Sequence, residues 1–204
     1  MKTRIILIIG FFSSSVLMLK AQNLNLSMSG GFDIATIHQN PLDPTQSGQP
    51  YTRISAYNFN LILTLKNRSI WGISVEPGFI KKGGQIYKSK TVLNYFQMPI
   101  SGTLKIYREL NLVFGPEFSY MLSAKGINSN STIDISGIFN KKFEMSVFGG
   151  MKYNFGKRIG IGIKYNQGLS YINKSPQYGK NFEIIRWLYD RNRYFQIQLC
   201  YLIF

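Results

Sequence analysis

The chain has one cysteine and one histidine in 204 residues. Cys200 has no partner for an internal disulfide, and its expected role is a small filler. A catalytic site built on histidine has only His38, in a polar segment with Thr36 and Asp43 near it; a lone loop histidine is ordinarily solvated. No cluster carries metal-ligand spacing. The nearest approach to a dinucleotide fingerprint, Gly160-Ile161-Gly162, runs on as an alternating segment with no helix opening after it. Together these absences point to a non-enzymatic chain without cofactor or metal. Long apolar runs are also missing after residue 19, so no helix is expected to cross a membrane. Acidic residues are scarce, 9 against 24 basic.

What is present begins with Lys2 and Arg4, an apolar run over 5–19, then Lys20, Ala21 and Gln22. This reads as a secretory signal peptide over 1–21, leaving a single domain over 22–204. The run is shorter than the roughly 20 residues of a spanning helix. Removing Lys2, Arg4 and Lys20 leaves 21 basic residues against 9 acidic. In a soluble protein that balance would point to nucleic acid; in an exported one the expected counterpart is anionic lipid or lipopolysaccharide, and nucleic acid is excluded.

The clearest pattern lies over 143–172. Phe143, Met145, Val147, Gly149, Met151 and Tyr153 share one face, with Glu144, Ser146, Gly150, Lys152 and Asn154 opposite and Phe148 breaking the polar side. After a turn over 156–158 the alternation resumes with Ile159, Ile161, Ile163, Tyr165, Leu169 and Tyr171 against Gly160, Gly162, Lys164, Asn166 and Ser170. Period two means strand. Arms of about ten residues, apolar on one face and polar or glycine on the other, have the length and pattern of tilted strands crossing a bilayer. Similar segments occupy 24–36, 53–66, 70–81, 95–107, 110–124 and 194–204. The connections alternate long and short: 37–52 long, 67–68 short, 82–94 long, 108–109 short, 125–142 long, 156–158 short, 173–193 long. Outer-membrane barrels pair short periplasmic turns with long external loops in this way.

The expected fold is therefore all-β, an eight-stranded antiparallel up-and-down transmembrane barrel in the outer membrane of a Gram-negative bacterium. A soluble β-sandwich is the alternative. Lipid offers no hydrogen-bond partner, so the last strand must pair with the first. Trp71, Tyr107 and Tyr153 near the turns, and Tyr57, Phe79 and Tyr120 near the loops, are expected to form the interfacial girdles. Pro77, Pro99 and Pro116 fall in three successive strands and predict bulges there, because proline cannot donate to the ladder.

By phase, Asp33, Glu76, Glu117, Glu144, Lys105, Lys152 and Lys164 point inward and are expected to form a paired charge network in the lumen. That network reads either as a structural plug or as the gate of a narrow channel. The external loops carry Lys82, Lys88, Lys90, Lys141, Lys142, Arg186, Arg191 and Arg193, candidates for contact with lipopolysaccharide phosphates. In the last loop Phe182, Ile185, Trp187 and Tyr189 are too apolar for a solvated tip and form a candidate rim or partner patch.

Several phrases carry a family resemblance: Tyr95-Phe96-Gln97-Met98-Pro99-Ile100; Gly115-Pro116-Glu117-Phe118-Ser119-Tyr120-Met121-Leu122; Tyr165-Asn166-Gln167-Gly168-Leu169; and Arg191-Asn192-Arg193 before a final strand ending at Phe204. The chain resembles the PorT-like outer-membrane barrel family. The resemblance implies an eight-stranded barrel and, through one family member, an accessory role in type IX secretion. A small channel and a lipid-modifying enzyme are the rival readings. One departure concerns assembly, since Phe195, Ile197, Leu199, Tyr201 and Ile203 form the outward stripe and leave Phe204 one residue out of phase. Either a bulge resets the register there, or the assembly signal is read through Tyr201 and Ile203.

Overall fold

A computed structural model describes residues 24–40, 51–66, 70–129, 131–139, 141–178 and 182–204. The expected leader, Asp43 and the turn at 67–68 lie outside the described residues. The described chain forms eleven strands: β1 (Leu24–Asn40), β2 (Ile54–Lys66), β3 (Trp71–Val75), β4 (Gly78–Ile86), β5 (Ser89–Tyr107), β6 (Leu110–Asn128), β7 (Ser131–Asp134), β8 (Phe143–Phe155), β9 (Ile159–Gly168), β10 (Asn173–Tyr178) and β11 (Ile184–Leu202).

Every pairing is antiparallel, and the last strand, β11, closes on the first, from Ser27 opposite Leu202 to Asn40 opposite Tyr189. β3 and β4 are two halves of one barrel strand. Both pair with β2 on one side and β5 on the other, and the register with each neighbour is the same above and below the gap at Glu76-Pro77. The ring thus has eight strands, with β7 and β10 added to its outer rim. Following the ladders outward from Leu24 leads through Leu65, Ile73, Gly102, Phe114, Gly149, Tyr165 and Phe195 back to β1 at Ile34, ten residues further along. That stagger tilts the strands by about 40° and leaves a lumen only wide enough for side chains.

The prolines act differently from the bulges expected of them. At Pro77 the ladder is interrupted without changing register: the Pro77 carbonyl still accepts from Leu61 N at 2.9 Å, and the Pro99 carbonyl from Glu76 N at 2.9 Å. The register shifts of β5 and β6 fall elsewhere, with Leu122 as the extra residue in β6 and Ile106 in β5. Proline needs only a missing donor, which a gap supplies as well as a bulge. Gly115 belongs to the same region, because a Cβ there would sit 1.9 Å from the Ile100 carbonyl oxygen.

The expected long loops over 82–94 and 173–193 are largely strand, and 125–142 opens with the end of β6 and with β7. β5, β6 and β11 each run 19 residues, about twice what a tilted crossing requires, so the sheet continues beyond the bilayer as hairpins. β4 and β5 meet in a two-residue turn at Tyr87 and Lys88, with Tyr87 at a φ of 51°. The chain end also resolves: Ile203 N and Phe204 N both donate to the Leu26 carbonyl, and Leu26 N donates to the Phe204 carbonyl. Two residues oppose one, which is a β-bulge, and it leaves Ile203 and Phe204 both exposed.

Candidate functional site

The lumen is filled in layers. At mid-height, Lys82 is fully buried, its Nζ donating to Glu117 Oε1 at 2.9 Å and Ser119 Oγ at 3.2 Å, with Glu144 Oε2 at 3.6 Å. Glu117 also accepts from Ser119, Ser146, Asn166 and the Tyr194 hydroxyl. Glu144 accepts from Asn192 Nδ2 at 2.8 Å, while its Oε1 is buried without a partner. The rings of Tyr95 and Tyr194 lie 4.8 and 5.1 Å from the Lys82 ammonium. Below this cluster Lys164 donates to Glu76 at 2.6 Å, and Ser101 donates to the same carboxylate. Asp33 accepts from Asn58 on both oxygens, and the chain continues through Asn60 to Gln97. Burying charges is tolerable only when they are paired and hydrogen-bonded, and these strands supply the partners from every side of the ring.

Around and above the charged cluster the lumen turns apolar, with Ile80 one inward position below Lys82 on β4. Ala35, Ile37, Ile54, Ala56, Ile80 and Leu93 join Tyr95, Met121, Ala124, Ile172 and Tyr194, with Tyr51, Ile135 and Phe139 packed against them from the external side. Below it a vestibule of about 340 Å³ opens at the turn end, lined by polar groups including Ser27, Thr64, Asn111 and Lys152. Between the two, the free space among Glu76, Glu117 and Lys164 is about 10 Å³, room for roughly one water. The lumen is therefore a vestibule closed above by a polar and then an apolar plug.

The outer wall carries an apolar belt. Leu24, Met28, Phe32, Leu61, Phe79, Phe96, Phe114, Met151, Ile163 and Leu199 are all exposed, as are the girdle residues Trp71, Tyr107, Tyr153, Tyr57, Phe79 and Tyr120. Immediately above this belt stand His38, Lys81, Arg191 and Arg193 on β1, β4 and β11, with Arg53 and Lys141 just ahead of β2 and β8. Lys81 lies 4.2 Å from the Tyr57 ring centroid and Lys141 4.1 Å from that of Tyr171. Five of the nine carboxylates, Asp33, Glu76, Glu117, Glu144 and Asp190, are buried, so the outer rim is basic with little acid to oppose it.

The family model described as Outer membrane protein beta-barrel domain matches residues 20–173. The chain belongs to that family. This barrel is thus a multi-pass protein of the outer membrane, and β11, beyond the matched span, is the strand that closes it. Among solved structures it is similar to Neisserial surface protein A, at 10% identity, covering 86% of this chain and 96% of that one with a TM-score of 0.52. It is also similar to Ail, the attachment invasion locus protein of Yersinia pestis, at 12% identity, covering 89% and 100% with a TM-score of 0.48. At such identities the likeness bears on the fold alone. No curated protein matches the chain in sequence.

Within this outer-membrane barrel the structure places Asp33, Glu76, Glu117, Glu144 and Lys164 in the lumen. Lys152 is half-buried in the vestibule, apart from the central cluster. Two assignments are corrected. Lys105 keeps its inward phase, opposite Asn111 and beside Thr103 at the turn-end opening, but is exposed there and takes no part in the network. Lys82 is no loop residue: it continues the inward phase of Gly78 and Ile80 in β4 and is the cation at the centre of the lumen. Its phase was the available signal, together with that of Tyr194 ahead of Gln196, Gln198 and Cys200. Of the other basic residues, Lys88, Lys141 and Lys142 are exposed and Lys90 is half-buried. Arg186 is held by Gln177 Oε1 at 2.6 Å in the β10–β11 hairpin. Arg191 and Arg193 stand on β11 itself rather than in a loop. The apolar patch stays at the surface, with Phe182 87% exposed and Ile185 and Trp187 exposed. Tyr189 is half-buried against Tyr171, and Lys174 covers Trp187 at 4.1 Å.

Proposed function

We propose that this barrel is a non-enzymatic binding protein that holds anionic outer-leaflet lipid, lipopolysaccharide in particular, against its basic rim. The observation that carries this reading is the charge distribution: carboxylates buried in the lumen, arginines and lysines ringing the outer wall just above the apolar belt. Phosphates of the outer leaflet lie at that height, and charge-assisted contacts to them are salt-sensitive. The plugged lumen speaks against a conducting path. The exposed Phe182, Ile185 and Trp187 on the β10–β11 hairpin favour a second contact, with an envelope protein, in keeping with a PorT-like accessory of type IX secretion.

Extraction of the tagged protein from its own outer membrane in mild detergent tests both. Lipopolysaccharide is expected at about one molecule or more per barrel and is expected to fall as salt rises. A stoichiometric envelope protein that is lost on Trp187→Ala would support the accessory role. Recovery of a barrel free of lipopolysaccharide at low salt refutes the lipid reading.

A further inference from the structure

The basic rim is not uniform. Between β9 and β2 the ladders put three outward rows in order. The lowest row is Tyr165, Phe195, Ile34 and Ser55, each opposite the next. Above it come Gln167, Arg193 and Thr36, followed by Arg53, which precedes the Ile54 that pairs with Ala35. Highest is Arg191 opposite His38. Neighbouring strands are about 4.8 Å apart and alternate residues along a strand about 7 Å apart. Arg53 and Arg193 therefore flank Thr36 closely enough for both guanidinium groups to converge on one phosphate, with Arg191 above. Ile34, Thr36, Arg53, Tyr165, Arg193 and Phe195 line a single groove of about 400 Å³ on the outer wall.

The arginines there have no internal counterpart. No carboxylate lies within ion-pair distance of Arg53, Arg191 or Arg193 among the described residues. The Nε atoms of Arg191 and Arg193 are buried and without a hydrogen-bond partner. Protein covers those Nε atoms, so an external acceptor would meet these guanidinium groups through their terminal nitrogens. The local field agrees: burial lowers the pKa of His38, and the charges of Arg193 and Arg191 lower it further.

We propose that this groove is a specific seat for one phosphorylated glycolipid of the outer leaflet, its phosphate held by Arg53 and Arg193 with Arg191 adding a third contact, its acyl chain lying on Ile34, Phe195 and Tyr165. The proposal rests on the lipid-binding reading above and narrows it to one place on the wall. Guanidinium groups suit this task because they meet phosphate through paired N–H donors.

The test uses the full barrel purified in detergent, with diphosphoryl lipid A, fully dephosphorylated lipid A and inorganic phosphate as separate probes. Retention is read by native mass spectrometry. His38, the only histidine, is read by NMR titration. Diphosphoryl lipid A is expected to be retained and to raise the His38 pKa, since an anion beside it favours the imidazolium. The dephosphorylated lipid is expected to do neither. R53Q/R193Q is expected to weaken retention about tenfold or more while leaving the barrel folded, as judged by heat-modifiable migration. A His38 response to inorganic phosphate equal to that given by lipid A at the same concentration would mean an adventitious ion only, and would overturn the seat. Equal retention by wild type and R53Q/R193Q would overturn it too, while leaving rim binding elsewhere intact. Loss of retention by the wild type itself would count against the broader function.

Discussion

Lys82→Met removes the only ammonium that, among the described residues, lies between Glu117 and Glu144. At an effective dielectric of about 20, each of its two carboxylate contacts is a gross attraction of about 5 kcal/mol, much of it offset by desolvation of the three ions. The net result depends on what each carboxylate keeps. Glu117 retains Ser119, Ser146, Asn166 and Tyr194 as donors. Glu144 retains Asn192, while its Oε1 is already unpartnered. The loss therefore falls mainly on Glu144. Stranding a buried charge costs about 3–5 kcal/mol, and that is the expected destabilisation for Lys82→Met. Adding Glu144→Gln in the same chain discards the stranded charge and is expected to recover about half of it. Glu117→Gln alone is expected to be worse than Glu144→Gln, because an amide NH₂ would face donors on whichever oxygen position it took. Urea unfolding in lipid vesicles, followed through the two tryptophans, measures all four variants. Lys82→Met within about 1 kcal/mol of wild type, or no recovery in the double variant, would refute the central clamp.

Two further predictions concern the wall. Gly150→Val is expected to force β8 from β9, since a Cβ there would lie 2.1 Å from the Ile163 carbonyl oxygen; the cost is about 1–3 kcal/mol in the same assay. Gly149→Ala, with nothing within 4 Å, is the neutral control, expected within about 0.5 kcal/mol of wild type. Phe204→Ala is expected to lower the assembled, heat-modifiable fraction in isolated outer membranes more than Ile203→Ala, because beyond the bulge against Leu26 Phe204 is the more exposed of the two, 66% against 40%. The reverse order would mean that the terminal signal is read through Tyr201 and Ile203.

The outward stripes, the eight strands and the closing of the last strand on the first could all be read from the residues in order. Lipid accepts only apolar side chains over the full height of the belt, so Phe59, Leu61, Leu63 and Leu65 leave a period-two trace that needs no knowledge of neighbours. Lys82 and the hairpins were hidden for the opposite reason. Above the bilayer no solvent imposes one polarity on the outer face, so strand residues such as Lys174, Gln177 and Arg191 read as loop. Inside the lumen no single polarity is required at all. Ser29 and Ile37 share the inward face of one strand, one beside Asn60 and the other in the apolar plug. Whether such a position holds a serine, an isoleucine or a buried lysine depends on what the tilt of the ring brings opposite it. The stagger of ten residues sets Lys82 of β4 against Glu117 of β6 and Glu144 of β8, and it sets Arg193 of β11 beside Arg53. The sequence by itself determined that this chain crosses a membrane as strands, because its surroundings act on each residue separately. Only the tertiary structure decided what fills the barrel and where its arginines converge, because those depend on register across several ladders at once.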